Sequence, residues 1–425
     1  MNLLIRGGHL IDPAAGIDGI YDVLVQDGVV KEVARRIYCT DANTIDATGK
    51  YVMPGFIDLH VHLREPGLEY KETIATGSMA AAAGGFTSIC PMPNTKPATD
   101  SPEKIHALLE KAKTDSKVHI LPIGAISIGQ EGKELADIKG MAQAGVVAVS
   151  EDGKSVMNSA LYAEGMKAAA EAGIPVFAHC EDIDLVRGGV MNAGKRAEEL
   201  RLPGITNAVE DIITARDIFL ARETGVQLHL CHCSTKDSVK MIALAKESGL
   251  RVSGETGPHY YTMTDEEIPV DFGNYKMNPP LRGKEDKQAL IQALQENVLE
   301  VIATDHAPHS KEEKEQTMLK APFGIVGLET AFALTVTELV RTGKLTLNQL
   351  VERMSLSPAK VLGINKGSLQ VGMPADITIV DVDTSYLIDP ETFYSKGRNT
   401  PFAGKKVYGM VYYTIVDGEI VYKKQ

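Results

Sequence analysis

Two histidines, His60 and His62, stand two residues apart in the stretch GFIDLHVHLREPG, Gly55 to Gly67. The Ile, Leu and Val residues around them indicate a strand, whose side chains alternate faces, so both imidazoles point the same way. Two imidazoles side by side at a strand end supply half of a metal site. Further ligand types follow at the carboxyl ends of later apolar runs: Asp152 after GVVAVS, His179 in IPVFAHCED, His232 in VQLHLCHCS and Asp305 in VLEVIATDHAPH. Alternation pairs Phe177 with His179, Leu228 and Leu230 with His232, and Ala303 with Asp305, and turns Cys180, Cys231 and His306 towards the helices. Imidazole and carboxylate donors without thiolate suit Zn²⁺ or another divalent transition metal. Six such side chains exceed the needs of one tetrahedral ion, and two ions sharing a bridging carboxylate account for the surplus. A pair about 3.5–4 Å apart can hold a hydroxide and polarise a carbonyl, which is hydrolytic chemistry at an amide, ester or phosphate. One zinc with spare histidines around it is the alternative.

Elements that could bring these residues together are legible. Eight apolar runs, GFIDLHVHL, FTSICPMPN, HILPIGAIS, GVVAVSEDG, IPVFAHCED, VQLHLCHCS, RVSGETGPHYY and VLEVIATDHAPH, alternate with helical stretches. One of these opens on Asp100-Ser101-Pro102-Glu103, a capped start. The pattern predicts an α/β fold, a (β/α)8 TIM-like barrel over residues 54–365. In a barrel all the strand ends named above meet at one mouth. Residues 1–53 and 366–425 read instead as short strands, with Asp27-Gly28 and Asp417-Gly418 as hairpin turns. They are expected to form one discontinuous domain, a small β-sandwich. A doubly wound open sheet is the other candidate, but no GxGxxG follows the first strand.

A net charge of −12 speaks against nucleic acid and anionic membranes as partners. It leaves room for an anionic small molecule, because metals and a local Arg reverse the field inside a pocket. No run approaches the ~20 apolar residues of a membrane span, and the first residues lack a secretory pattern, so a cytoplasmic protein is expected. Cys39, Cys90, Cys180, Cys231 and Cys233 form no CxxC pair and read as core residues in a reducing compartment.

The motifs HxHxREPG, PMPNT, SEDG, AHCED, HLCHCS, ETGPHYY, NPPLR, TDHAPH and APFGIVGLET occur in this order along nearly the whole chain. Together they resemble the bacterial type I dihydroorotases of the amidohydrolase superfamily. HxH alone marks the whole superfamily, whereas HxHxREPG with NPPLR and TDHAPH is highly specific. The resemblance implies reversible cyclisation of N-carbamoyl-L-aspartate to L-dihydroorotate, the third step of pyrimidine biosynthesis. It implies two zinc ions bridged by Asp152 and a hydroxide, with His60, His62 and Asp305 on one and His179 and His232 on the other. Many relatives bridge with a carbamylated lysine, and Lys154 is the residue here that could serve so. Asp305 is expected to take the hydroxide proton and hand it to the leaving ring nitrogen.

Substrate recognition follows from charge. Dihydroorotate carries one carboxylate and carbamoyl aspartate two, so a fixed cation is needed, and Arg64 shares the face of His60 and His62. By resemblance Asn94 and His309 assist Arg64, and Asn278 meets the ring amide edge. The Phe323-Gly324 backbone closes over the ring, and His62 borders substrate as well as metal. A homodimer is expected, and the resemblance implies a complex with aspartate carbamoyltransferase. Two rivals stand: another cyclic amidase such as a hydantoinase or allantoinase, and a non-catalytic scaffold homologue. The former generally want the bridging lysine and lack this Arg, and the latter lose ligands that this chain keeps. His9, His106, His119 and His229 read as ordinary surface or core histidines, and His259 and His306 as neighbours of the site at most. The run Lys311-Glu312-Glu313-Lys314-Glu315-Gln316 reads as a solvated helix or moving loop.

Overall fold

The computed structural model describes residues 2–424. The first strand, Asn2–Asp12, pairs antiparallel with Ile17–Gln26, which pairs in turn with Val29–Ala34. Asp27 and Gly28 both have positive φ between those strands, as a tight right-twisted hairpin requires. Tyr51–Pro54 lies parallel to the first strand and antiparallel to Ile377–Leu387, with Val52 opposite Ile379. Lys406–Val416 and Glu419–Lys423 follow, joined at Asp417-Gly418, and complete an eight-stranded sheet from both ends of the chain. Bulges bend it, and Leu3, Ile5, Val23, Val25, Ile377, Ile379 and Ile415 close a sandwich core.

The intervening segment forms the barrel. Its strands are Phe56–Val61, Phe86–Pro91, His119–Ile120 continuing as Ile123–Ala125, Ala148–Ser150, Val176–Ala178, Leu228–Leu230, Val252–Thr256 and Val301–Ile302. All pair in parallel with their neighbours. The third expected run is therefore split, because Pro122 has no N–H for a continuous ladder. A parallel bridge from Val61 to His306, with the His62 N–H on the His306 carbonyl at 2.8 Å, joins last strand to first.

The helices that cover the barrel follow the same local rules. In Lys236–Glu247, Thr235 caps the Ser238 N–H, Asp237 sits in the first turn and Lys246 in the last. Val239, Ile242 and Ala245 face inward, and full burial of an aliphatic side chain stabilises by about 2 kcal/mol. None of the helices among the described residues is long and apolar enough to cross a membrane.

Simple alternation fails at two strand ends. Leu228 and Leu230 pack with the helix-side core, whereas Cys231 packs with Phe177 and Ala303 inside the barrel. Cys231 thus faces inward, not towards the helices as expected. His232 still reaches the mouth, because its φ of +35° turns the chain once the strand has ended. At the first strand the register shifts between Asp58 and Val61, so Ile57 and Leu59 join the interior core below the two histidines.

Candidate metal centre and substrate pocket

His60 is fully buried and its two nitrogens have different neighbours. Nδ1 lies 3.1 Å from Glu255 Oε1, while Nε2 lies 3.2 Å from Asp152 Oδ1 and 3.5 Å from Asp305 Oδ1. His62 repeats the arrangement, with Nδ1 at 2.8 Å from Asn94 Oδ1 and Nε2 at 3.1 Å from Asp305 Oδ1. In His179 the roles are exchanged: Nε2 meets Glu181 Oε2 at 3.1 Å, and Nδ1 faces Asp152 Oδ1 at 3.4 Å. His232 Nε2 lies 2.8 Å from His179 Nδ1 and 3.5 Å from Asp152 Oδ1. Three outer acceptors, Glu255, Asn94 and Glu181, therefore each take one N–H and leave the opposite nitrogen lone pair aimed inward.

That inward set fits divalent metal. His60 Nε2 and Asp152 Oδ1 are buried and neither has a hydrogen-bond partner, which is costly without a cation between them. His60, His62 and Asp305 place their ligand atoms within 4.8 Å of one another, as do His60, Asp152 and His232. Burial alone would raise the Asp152 carboxyl, but the imidazoles of His60, His179 and His232 hold it well below the usual carboxylate range. Cys231 is near enough to His60 and Glu255 to be considered with them, yet burial pushes its thiol far up, so it offers no thiolate. Lys154 Nζ donates to the Gln130 carbonyl at 2.9 Å, away from the imidazoles, which leaves Asp152 as the central carboxylate.

Beside this cluster opens a cavity of about 210 Å³ lined by His62, Arg64, Asn94, Asp152, His179, His232, Asn278, Asp305, His309, Phe323 and Gly324. All the expected site residues thus converge there, His60 lying just beneath. Arg64 has a left-handed backbone (φ +62°) and is buried; its Nε donates to the Pro308 carbonyl at 3.2 Å, and Nη2 lies 3.4 Å from His309 Nε2. His309 Nε2 donates to the Phe323 carbonyl at 2.8 Å, and its Nδ1 accepts from Lys71 Nζ at 3.1 Å. Burial, with Arg64 and Lys71 close by, presses the His309 pKa far down, so the ring is neutral. Asn278 donates to Glu181 Oε1 at 2.9 Å and so joins pocket wall to metal-site support.

Some contributors escape a reading of motifs. Glu255, Glu181 and Lys71 lie within quoted motifs or beside them, but no spacing rule marks them as supports. Lys314 was expected in solvent, as part of a charge run, and is buried instead. Asn399, on the C-terminal segment, accepts the His309 N–H and donates to the carbonyls of Ala307 and Gly324 at 3.0 and 3.1 Å.

Solved structures share the whole arrangement of the chain. L-Hydantoinase from Arthrobacter aurescens superposes with a TM-score of 0.88 at 29% identity, covering 99% of this chain and 96% of its own. Dihydropyrimidinase from Brevibacillus agri does so with a TM-score of 0.87 at 28% identity, covering 100% and 95%. A Dihydro-orotase-like family matches residues 49–238 and an Amidohydrolase family matches residues 317–422. Fold and site thus define an amidohydrolase, a TIM-barrel hydrolase with an accompanying β-sandwich. The relative from Acetivibrio thermocellus named Dihydroorotase is 47% identical over 424 residues, covering 100% of this chain and 99% of its own. That from Citrifermentans bemidjiense, of the same name, is 48% identical over 424 residues, covering 100% of both. The chain belongs to the dihydroorotase family.

Proposed function

We propose that this site interconverts N-carbamoyl-L-aspartate and L-dihydroorotate, as in the third step of pyrimidine biosynthesis. The observation that carries the reading is the Arg64 guanidinium, buried at the edge of the ligand cluster beside His309. A planar cation held there suits a substrate that presents a carboxylate next to its reacting amide. Hydantoin and allantoin bring no carboxylate to meet it.

His60, His62 and Asp305 would hold one metal, His179 and His232 the second, and Asp152 would lie between them. Zinc is the metal these donors suit, and in such a pair it supplies Lewis acidity and a water acidic enough to ionise near neutrality. Asp305 takes the proton of the attacking water and passes it to the ring nitrogen as the amide bond breaks. Arg64, with Asn94 and His309, fixes the substrate carboxylate; Asn278 and the Phe323-Gly324 backbone hold the ring amide edge. In reverse, protonated Asp305 donates to the departing water as the ring closes. Closure consumes one carboxylate and one proton, so acid favours the ring and alkali the open form.

The same reading divides the chain into a discontinuous sandwich, 1–53 and 366–425, and a catalytic barrel, 54–365. It extends to a homodimer in the cytoplasm and to a complex with aspartate carbamoyltransferase. The test is ultraviolet absorbance of dihydroorotate during hydrolysis, with and without chelator, with hydantoin and allantoin as controls. Turnover of dihydroorotate alone, lost on chelation and restored by zinc, is expected. Cleavage of hydantoin alone would remove the role given to Arg64.

A further inference from the structure

Four successive carbonyls at the pocket wall end on side-chain nitrogens. Ala321 O accepts from Lys276 Nζ at 2.7 Å, Pro322 O from Lys314 Nζ at 2.9 Å, and Phe323 O from His309 Nε2 at 2.8 Å. Gly324 O accepts from both Lys314 Nζ, at 2.7 Å, and Asn399 Nδ2, at 3.1 Å. Lys314 Nζ has a third acceptor, the Lys276 carbonyl at 3.1 Å, which also receives the Gly324 N–H at 3.0 Å. All three donor positions of this ammonium are thus filled by backbone oxygens from two pocket loops.

A lysine in such a place is unusual. It is 2% exposed, and no carboxylate among the described residues forms an ion pair with it. Burial, then the Lys276 ammonium, presses its pKa down, whereas three carbonyl acceptors on one nitrogen favour the charged form. A hydrophobic core gains nothing from an unpaired ammonium, and a neutral side chain would hold the loops at less cost in desolvation. What Lys314 does supply is a charged donor that sets the direction of the Pro322 and Gly324 carbonyls and puts positive potential beside Arg64 and His309. Gly324, at φ +127°, has the backbone conformation that such a clamp must hold.

We propose that Lys314 is a positioning residue for substrate recognition: its ammonium locks the Phe323-Gly324 wall to the Lys276 carbonyl, two residues before Asn278, in the shape that binds an anionic ring. The inference rests on the reading that this wall meets the substrate. Lys314→Met and Lys314→Arg, in the full-length metal-loaded protein, test it through steady-state dihydroorotate hydrolysis, melting temperature and hydrogen exchange of residues 321–325. Lys314→Met is expected to raise KM about tenfold or more, keep kcat within about threefold, and speed exchange at 321–325 at an unchanged melting temperature. Lys314→Arg, which keeps charge and donors, is expected to recover much of the KM. Unchanged KM and exchange in Lys314→Met would overturn the proposal. So would a parallel loss of kcat, KM and melting temperature in both variants, the mark of a merely structural lysine. Should Lys314→Met not fold, Lys314→Gln is measured against the same criteria. If the unmodified protein leaves dihydroorotate untouched, the functional reading fails, and exchange at 321–325 still decides whether Lys314 holds the wall.

Discussion

Glu255 Oε1 lies 3.1 Å from His60 Nδ1, and that contact decides which nitrogen of the imidazole faces Asp152. The other oxygen of Glu255 meets His229 Nε2 at 3.1 Å, and burial, though it would raise this carboxyl, is outweighed by the two imidazoles. The carboxylate therefore stays charged in the barrel interior and keeps His60 in the Nδ1–H form, with Nε2 free to bind. Glu255→Gln preserves shape while removing the charge. It should weaken metal affinity by about 10- to 100-fold, read as metal retained against a competing chelator. Equal retention would show that packing alone orients His60.

Asp305 reaches both His60 and His62 and has a left-handed backbone, φ +48°, that brings its carboxylate over the mouth. Asp305→Asn should lower kcat by about 10²- to 10⁴-fold in both directions of the reaction, with metal content measured alongside. Near-normal turnover would remove the proton-transfer role.

Arg64 is the buried guanidinium of the pocket and, on the proposed function, its carboxylate fork. Arg64→Met should lower kcat/KM for dihydroorotate about 100-fold, mostly through KM, because a charged hydrogen bond is lost on both sides. Any slow hydantoin cleavage should be untouched by the change. A matching loss on hydantoin would mean that Arg64 serves the loop around Pro308 rather than the substrate.

Glu329 accepts the N–H groups of Tyr394 and Ser395 at 3.0 and 3.1 Å, and burial, the dominant cause, pushes its pKa up to about 7 from 4.5. Between these values the folded chain keeps a proton that the unfolded chain has lost. Stability from this group accordingly falls as pH rises from about 4.5 to 7 and is level above. Glu329→Gln cannot titrate, so its melting temperature relative to the parent should climb from pH 5 to pH 8. Parallel curves across that range would place the Glu329 pKa at its ordinary value.

The convergence of the six histidines and aspartates and the barrel were readable because each of these residues closes an apolar run, and runs separated by helices must return to one sheet. The faces were harder. Barrel strands such as Leu228–Leu230 are only three residues long, too short for a period of two to fix orientation. Leu59 and His60 both lie inside the register shift between Asp58 and Val61, and no pattern of apolar residues announces a bulge. Lys314 sits in a run of charges whose composition says solvent, and its neighbours Lys311, Glu312, Glu315 and Gln316 are indeed exposed; Lys314 alone is buried, because the carbonyls of Lys276, Pro322 and Gly324 converge on it. Asn399 is a small polar residue remote from every motif, and only the closed fold gives it a place.

Asn399 has one more consequence. A growing chain that has emerged as far as Asp305 already possesses all six clustered histidines and aspartates, but its Tyr51–Pro54 strand still lacks Ile377–Leu387, and Ala307 and Gly324 must still be joined by the Asn399 amide. Completion of the catalytic mouth therefore waits until Ile377–Leu387 and Asn399 have joined the barrel. The inward histidines and aspartates can thus be made before the wall that faces them is fixed.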